Sequence, residues 1–278
     1  YVMRQLAFNI RGELRQYNTP AVMGVINITP DSFHTGSRAT DSAAIADKVI
    51  QMVEDGASFI DVGAYSSRPG CSDISAKEEL KRLEIGMNAL RSVAPDIPVS
   101  VDTFRSEVAR EAVTNLSADI INDISGASLD PNMMATVADL HVPYILMHMR
   151  GTPQDMQEFT DYDDLLADIL SDLANKVDQL DLIGVNDVII DPGFGFSKTL
   201  EQNYSILKNL HIFDVFHLPI LVGISRKSMI TQLLNISTDE ALQATTALNV
   251  CALQRGASIL RVHDVLPAVQ ATKLFMQL

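Results

Sequence analysis

The stretch "DVIIDPGFGF" (residues 187–196) contains a short apolar run and, directly after it, an ionisable residue. These two features together determine the fold. The first part of the stretch, Asp187–Ile190, is a short apolar run without the polar–apolar alternation of a strand that has one wet face. Runs of this kind are typical of strands buried on both faces of a parallel sheet. The run ends at Asp191, and a glycine-rich turn follows. A buried strand that ends in an ionisable residue is therefore the pattern to seek elsewhere in the chain.

The same pattern recurs along all 278 residues. Seven more apolar runs are Ala21–Ile26, Ser58–Val62, Pro98–Val101, Ala118–Ile121, Tyr144–Met147, Ile220–Ile224 and Ser258–Val262. Segments 42–56, 75–93 and 160–184 have helical periodicity, and the second begins with a Ser75-x-x-Glu78 capping box. Eight strands separated largely by helices predict a single-domain (β/α)8 TIM barrel over residues 1–278. An open, doubly wound sheet is the alternative.

Polar residues follow every predicted strand, and several residues at these strand ends have cationic or imidazole side chains. Barrel enzymes build their active sites at the C-terminal ends of the strands. Asp and Asn in such places also cap helices or form Asx turns. Capping does not explain the cations, which are Arg68, Lys227, Arg261 and His263. These strand ends are therefore predicted to form a binding site.

Composition excludes several classes of protein. The formal net charge is −14, whereas a general nucleic-acid binder needs a basic face. Only two cysteines are present, so there is no disulfide framework. No apolar run approaches the roughly 18 residues that span a bilayer. We expect a cytoplasmic protein with no nucleic-acid or membrane partner, in which any small anion is held by local cations.

The predicted rim combines acids and amides with cations, so the ligand should carry a donor-rich heterocycle at one end and an anion at the other. A carboxylate accepts two parallel N–H bonds from a cyclic amidine edge. Arg261 and His263 lie two residues apart on one strand face and could grip a phosphate or diphosphate. Alternatively, Arg261 bridges to Asp264 or another rim acid, with His263 packed beneath. Ser228 begins a predicted helix. The start of a helix favours an anion, so this one either binds an anion or is an ordinary N-cap.

Other motifs are missing from the chain. Lys198 occupies the third glycine position of G-x-G-x-x-G, so "GFGFSK" is no dinucleotide fingerprint. The sequence has no zinc-ligand spacing, nucleophile elbow or Walker loop. Hydrolase and nucleotidase functions are therefore disfavoured.

Taken in order, the blocks at the strand ends resemble the dihydropteroate synthase family of folate biosynthesis. The matching blocks are "MGVINITPDSF" (23–33), "SSRPG" (66–70), "SVDT" (100–103), "INDISG" (121–126), "LMHMRGTPQDMQ" (146–157), "IIDPGFGFSKTLEQN" (189–203), "GISRKS" (223–228) and "RVHDV" (261–265). The resemblance implies a (β/α)8 barrel, a homodimer and a sulfonamide target. It also implies condensation of 6-hydroxymethyl-7,8-dihydropterin diphosphate with 4-aminobenzoate, in the presence of Mg²⁺, to give 7,8-dihydropteroate and diphosphate.

The resemblance also implies roles for individual residues. The pterin set is Asp102, Asn122, Met147, Asp191, Phe196 and Lys227. The diphosphate set is Asn27, Arg261 and His263, with Asn27 as the Mg²⁺ ligand. The aminobenzoate set is Phe33, Ser67, Arg68, Pro69 and Ser228. Catalysis would rest on Asp102, Asp191, Lys227, Arg261 and His263, which stabilise a dissociative, carbocation-like substitution. Loops 29–38 and 65–73 are expected to cover the second substrate.

Three positions depart from the usual pattern of the family. Tyr65 replaces an acid, Ser67 replaces a threonine, and Ser197 stands where glycine is usual. Ser67 keeps the hydroxyl, so aminobenzoate binding is expected to survive. Three other functions stay open: a methyltetrahydrofolate-dependent methyltransferase on a related barrel, a Schiff-base aldolase with Lys227 as its amine, and a non-catalytic pterin carrier.

Overall fold

The computed structural model of the chain describes residues 6–28, 38–65 and 73–278, with side chains in the first helix from residue 41 onward. The strands are β1 (Leu6–Ile10), β2 (Glu13–Tyr17), β3 (Ala21–Asn27), β4 (Phe59–Gly63), β5 (Val99–Asp102), β6 (Ile120–Asp123), β7 (Tyr144–Met147), β8 (Val188–Asp191), β9 (Leu221–Val222) and β10 (Ile259–Val262). The α-helices are α1 (Arg38–Glu54), α2 (Ala76–Val93), α3 (Ser106–Thr114), α4 (Met133–Leu140), α5 (Leu165–Leu182), α6 (Leu200–Lys208), α7 (Ser228–Leu234), α8 (Leu242–Gln254) and α9 (Val265–Phe275).

Strands β3 to β10 form one parallel sheet in the order β8-β7-β6-β5-β4-β3-β10-β9. The two edges of this sheet meet, because Ile190 of β8 bridges to Ile220 in parallel and its N–H donates to the Pro219 carbonyl at 2.9 Å. Helices follow the strands and cover the outside of the sheet. The predicted (β/α)8 barrel is therefore confirmed, and the open, doubly wound alternative is wrong.

All eight predicted apolar runs overlap a barrel strand, although the boundaries differ. The run predicted at Ile220–Ile224 contributes only Leu221–Val222 to the sheet ladder. The helix predicted over 160–184 begins at Leu165, because the Asp164 carboxylate accepts from the N–H groups of Leu166 and Ala167. Helix α2 begins after Ser75 as predicted, and Ser75 Oγ accepts from Glu78 N at 3.2 Å. The Glu78 carboxylate accepts from Arg82 Nε at 2.9 Å, so it forms an ion pair on the helix surface and does not complete the capping box.

An antiparallel hairpin, β1–β2, precedes the barrel and was missed in the sequence. Its inward side chains Leu6, Phe8 and Ile10 pack against the first inward residues of the barrel strands. Arg11, in the turn, donates to Asp119 just before β6 at 2.6 and 3.0 Å. The hairpin therefore closes the N-terminal end of the barrel, which leaves the C-terminal end for a binding site.

The larger core lies between the strands and the surrounding helices. In β10, for example, Leu260 and Val262 point outward into this core, whereas Ile259 points into the barrel. This alternation explains why the strands read as continuous apolar runs. Among the described residues, no helix is both long enough and apolar enough to cross a membrane.

Candidate active site

The inside of the barrel changes from apolar to polar within two residues along most strands. The layer near the hairpin is apolar and consists of Met23, Phe59, Ile120, Ile145, Ile189, Leu221 and Ile259. Side chains two residues apart on a strand share a face. The next layer toward the C-terminal end is therefore built from Asp61, Asp102, Asn122, Met147, Asp191, Gly223 and Arg261. Five predicted site residues stand in this one layer.

Arg261 lies across the barrel and joins three strands. Its guanidinium contacts Asp61 Oδ2 on β4 at 2.6 and 2.8 Å, and Asp102 Oδ2 on β5 at 3.2 Å. Asn122 Nδ2 on β6 also donates to Asp61 Oδ2, at 3.2 Å. Arg261 therefore bridges to rim acids as the alternative interpretation expected, although to these two carboxylates and not to Asp264.

Asp102 lies in a strongly perturbed electrostatic position. Burial and the neighbouring Asp61 carboxylate raise the pKa of its carboxyl to about 7, although the charge of Arg261 acts in the opposite direction. A carboxyl with a pKa near neutrality lies where it can bind a ligand in either protonation state. Asp102 therefore has the properties expected of a ligand-orienting acid.

A second cluster forms around Asp191 at the end of β8. Its Oδ1 accepts from the Gly193 N–H at 2.8 Å, and burial raises its pKa while Lys227 acts in the opposite direction. Burial lowers the pKa of Lys227 to about 8, and its ammonium donates to the Phe194 carbonyl. The same ammonium lies 4.8 Å from the centre of the Phe196 ring. The predicted residues Asp191, Phe196 and Lys227 are thus brought together.

An apolar wall stands beside this cluster. It is formed by Phe104, Ile124, Leu129, Met147, Met149, Met156 and Phe196. Methionine adapts to irregular surfaces and makes favourable contacts with aromatic rings. Phe194, a second candidate stacking surface, is fully buried in the outer core and does not face the site. The wall and the carboxylates together suit a flat heterocycle with polar edges.

Asn27 is the last residue of β3, and its side chain lies near that of Asp102, on either side of the space beside Gly63. A Cβ atom on Gly63 would lie 3.6 Å from Asn27 Oδ1 and 3.5 Å from Asp102 Cβ. Among the described residues, no three His, Cys, Asp or Glu side chains are grouped to hold a metal ion. An amide oxygen beside a carboxylate nevertheless fits Mg²⁺, which keeps several waters and takes other ligands from a bound phosphate.

His263 follows β10 and contacts Ser225, whose Oγ lies 3.2 Å from its backbone nitrogen and 3.1 Å from Nδ1. Burial and the charge of Arg261 lower the pKa of His263 to about 4. The expectation of two cations at the end of this strand is therefore wrong at neutral pH, because the imidazole is uncharged. Arg226 points away and binds Asp264 through two hydrogen bonds of 2.8 and 2.9 Å.

Comparisons with known proteins agree with this geometry. The pattern of the pterin-binding enzyme family matches residues 23–263. A dihydropteroate synthase from Synechocystis sp. is 43% identical over 256 residues, which is 91% of this chain and 88% of that protein. The chain belongs to the dihydropteroate synthase family. It is therefore an enzyme, a transferase, and the methyltransferase alternative is not favoured.

Two solved structures of dihydropteroate synthases support the same assignment. The Yersinia pestis enzyme in complex with a sulfonamide drug is 37% identical, with a TM-score of 0.90 and coverage of 98% of both chains. The Xanthomonas albilineans enzyme with 4-aminobenzoic acid is 34% identical, with a TM-score of 0.90 and coverage of 99% of this chain and 98% of that one. The likeness thus extends over nearly the whole barrel.

The aminobenzoate region of this dihydropteroate synthase family member is described only in part. Phe33, Ser67, Arg68 and Pro69 lie outside the described residues, as do most of loops 29–38 and 65–73. Ser228 is the first residue of α7, and it is exposed. Its predicted role stays a prediction.

The first departure from the family pattern, Tyr65, is buried at the edge of the site. Its hydroxyl accepts from Gln154 Nε2, and its ring meets Phe104 edge-on at 5.0 Å. The guanidinium of Arg105 lies 5.4 Å from the centre of the Tyr65 ring. An aromatic ring therefore stands where the family usually has an acid, and the guanidinium of Arg105 lies beside this ring.

The second described departure, Ser197, has a left-handed backbone with φ of 47°. Glycine adopts this region without steric cost, which explains its frequency at the position. Here the Ser197 hydroxyl accepts from Arg150 N at 3.0 Å and donates to the Phe196 carbonyl at 2.8 Å. These contacts offset the backbone strain.

Proposed function

We propose that this chain condenses 6-hydroxymethyl-7,8-dihydropterin diphosphate with 4-aminobenzoate to give 7,8-dihydropteroate and diphosphate. The observation that carries the proposal is the polar layer inside the barrel, where Asp102, Asn122 and Asp191 surround Arg261. The membership in the dihydropteroate synthase family supports it.

The pterin would lie between the acids and the apolar wall. In their ionised forms, Asp102 and Asp191 accept N–H bonds from the pterin edges, and Asn122 can both donate and accept. Met147 and Phe196, which belong to the same wall, pack against the ring. Lys227, held between Asp191 and Phe196, donates to a pterin acceptor and limits the net charge of the pocket.

Arg261 and His263 would bind the diphosphate. The guanidinium fork of Arg261 already lies in the barrel, so it is oriented before the substrate arrives. His263 serves as a neutral hydrogen-bond donor through its ring. Asn27 would hold Mg²⁺ through its amide oxygen, and the bound ion would neutralise part of the diphosphate charge.

The bond changes follow from this arrangement. The bond from the pterin methylene carbon to oxygen breaks, and the diphosphate leaves with the electron pair. Positive charge then develops on the methylene and the ring, where the carboxylates of Asp102 and Asp191 stabilise it. The aniline nitrogen forms the new C–N bond through its lone pair and releases one proton to the diphosphate or to water. An aniline needs no strong base for this step.

The aminobenzoate would enter over the C-terminal rim near Ser228, with Phe33, Ser67, Arg68 and Pro69 as its predicted partners. The Schiff-base aldolase and the pterin carrier each predict a different outcome from that of the synthase. An aldolase gives a borohydride-trapped substrate on Lys227, and a carrier binds pterin without releasing diphosphate.

The decisive experiment incubates the protein with the dihydropterin diphosphate, aminobenzoate and Mg²⁺, and follows 7,8-dihydropteroate by chromatography. We expect product only when both organic substrates are present, with diphosphate released in equal amount. Adding a chelator tests Mg²⁺. A well-folded protein that forms no dihydropteroate would refute the proposal.

We also propose a cytoplasmic homodimer. Helices α7 and α8 carry no charged residue, and Leu233 and Leu234 on α7 are 56% and 51% exposed. An uncharged surface of this kind is typical of a permanent interface. The low cysteine content agrees with a reducing compartment. Light scattering on the purified protein would give the mass, and a monomer at micromolar concentration would contradict the proposed dimer.

A further inference from the structure

Lys198 is a buried cation whose function the proposed reaction leaves open. It is 3% exposed and follows the glycine turn after β8. A buried ammonium is costly unless all its donors are satisfied. Its partners therefore show what it does in the fold.

Among the described residues, the hydrogen-bond acceptors around Lys198 Nζ belong to two segments. Its Nζ contacts the Phe196 carbonyl at 2.9 Å, the His148 carbonyl at 3.3 Å and His148 Nδ1 at 3.1 Å. Burial and the charge of Lys198 lower the pKa of His148 to about 2, so its ring is neutral and Nδ1 can accept. The three donors of the ammonium are thus matched to three acceptors.

These acceptors are adjacent to residues of the apolar wall beside the predicted pterin site. Phe196 belongs to this wall, and His148 directly follows Met147, which belongs to the same wall. The loop also approaches the end of β7 closely, because a Cβ atom on Gly193 would lie 2.0 Å from the His148 carbonyl oxygen. Lys198 therefore links the two segments that carry Phe196 and Met147 into the wall.

We propose that Lys198 is a positioning residue that fixes Phe196 relative to Met147 in the apolar wall, and thereby the affinity for the pterin ring. Lys198 contacts neither predicted substrate, so it acts through the loop and through His148. The inference rests on the proposed function, since it assigns the pterin to the pocket beside these side chains.

The alternative is that Lys198 only stabilises the fold. Other contacts also hold the loop: Asn203 Oδ1 on α6 accepts from Gly195 N at 2.7 Å. If those contacts suffice, removing Lys198 would lower stability and leave the pocket unchanged. The two interpretations differ in whether removal of Lys198 weakens binding of the pterin substrate.

The test compares Lys198→Met, Lys198→Arg and the exposed Lys208→Met in steady-state kinetics. Burial lowers the pKa of Lys198 to about 7, so the assays are run at about pH 6, where the ammonium form dominates. For Lys198→Met we expect KM for the pterin substrate to rise about tenfold, with KM for aminobenzoate changed less than about twofold. Lys198→Arg should recover part of the loss, and Lys208→Met should match the parent.

Binding of free 6-hydroxymethyl-7,8-dihydropterin by calorimetry provides the second readout, which needs no turnover. We expect the same tenfold weakening for Lys198→Met. If that variant does not fold, Lys198→Gln is measured in the same way. Unchanged pterin binding, or equal loss for both substrates, would overturn the inference. A parent protein that binds pterin normally but makes no product would refute the proposed reaction and leave this inference standing.

Discussion

Arg261 on β10 and Asp61 on β4 form a buried ion pair inside the barrel, with the carboxylate fully buried and Arg261 Nη2 at 2.6 Å from Asp61 Oδ2. Strand β3 separates their two strands in the sheet. Asp61 Oδ1 is buried and has no hydrogen-bond partner among the described residues. The pair thus orients the guanidinium that the proposed reaction uses for diphosphate, and it leaves one acceptor free.

Asp61→Asn should weaken this orientation. A buried ion pair that loses one partner typically costs about 3–5 kcal/mol, and the remaining contact of Arg261 with Asp102 should bring the loss to the low end. We expect the free energy of unfolding, measured in urea, to fall by about 3 kcal/mol. KM for the diphosphate substrate should rise as well.

The matched control for Asp61→Asn is Asp139→Asn. Asp139 pairs with Arg110 at 3.0 Å on the surface, where both side chains are exposed. Surface pairs contribute about 0–1 kcal/mol, so this variant should resemble the parent. Equal effects of the two substitutions would show that the buried pair has no special role.

Asp102 should make the stability depend on pH in a defined window. Its pKa is about 7 in the folded protein, mainly because of burial, against about 3.9 in an unfolded chain. Between these values the folded state binds more protons, so the contribution of Asp102 to stability is complete below about pH 4 and is lost as the pH rises through about 7.

Asp102→Asn removes this titration. We expect urea midpoints of the parent, measured across that window, to fall relative to those of the variant as the pH increases. The difference between the two proteins isolates Asp102 from other titrating groups. A difference that stays constant from acid to neutral pH would contradict the raised pKa.

The barrel could be predicted because its signal repeats. Seven of the eight apolar runs are followed directly by a polar residue, and strand periodicity alone places Asp61, Asn122 and Arg261 on one inner face. The hairpin β1–β2 was missed, although Leu6, Phe8 and Ile10 alternate before the Arg11-Gly12 turn. Its alternation marks a strand with one wet face, which differs from the continuous apolar runs of the barrel strands.

The charges at the site could not be predicted from the sequence, because they depend on contacts between distant strands. Arg226 and Arg261 look alike in sequence, yet one binds Asp264 on the surface side and the other lies inside the barrel. His263 loses its charge through burial. In the sequence, Lys198 is only a misfit to a glycine motif, because its buried position depends on the fold of β7 and β8.

Tyr65 and Gln154 should be energetically coupled. Tyr65→Phe keeps the ring against Phe104 and removes the hydroxyl that accepts from Gln154 Nε2. A hydrogen bond of this kind contributes about 0.5–1.5 kcal/mol to the free energy of unfolding. A double-mutant cycle with Gln154→Ala, measured in urea, should return a coupling energy of that size. Strictly additive effects would show that the bond contributes nothing.

Ser197 allows backbone strain and hydrogen bonding to be measured separately. Its φ of 47° is unfavourable for any residue with a Cβ atom, by about 1–2 kcal/mol. Ser197→Ala keeps the strain and loses the hydroxyl contact to Arg150 N, so it should be clearly destabilising. Ser197→Gly loses the same contact but relieves the strain. We therefore expect the glycine variant to be more stable than the alanine variant by about 1 kcal/mol in urea unfolding. Equal stability of these two variants would mean that the left-handed backbone carries no cost here.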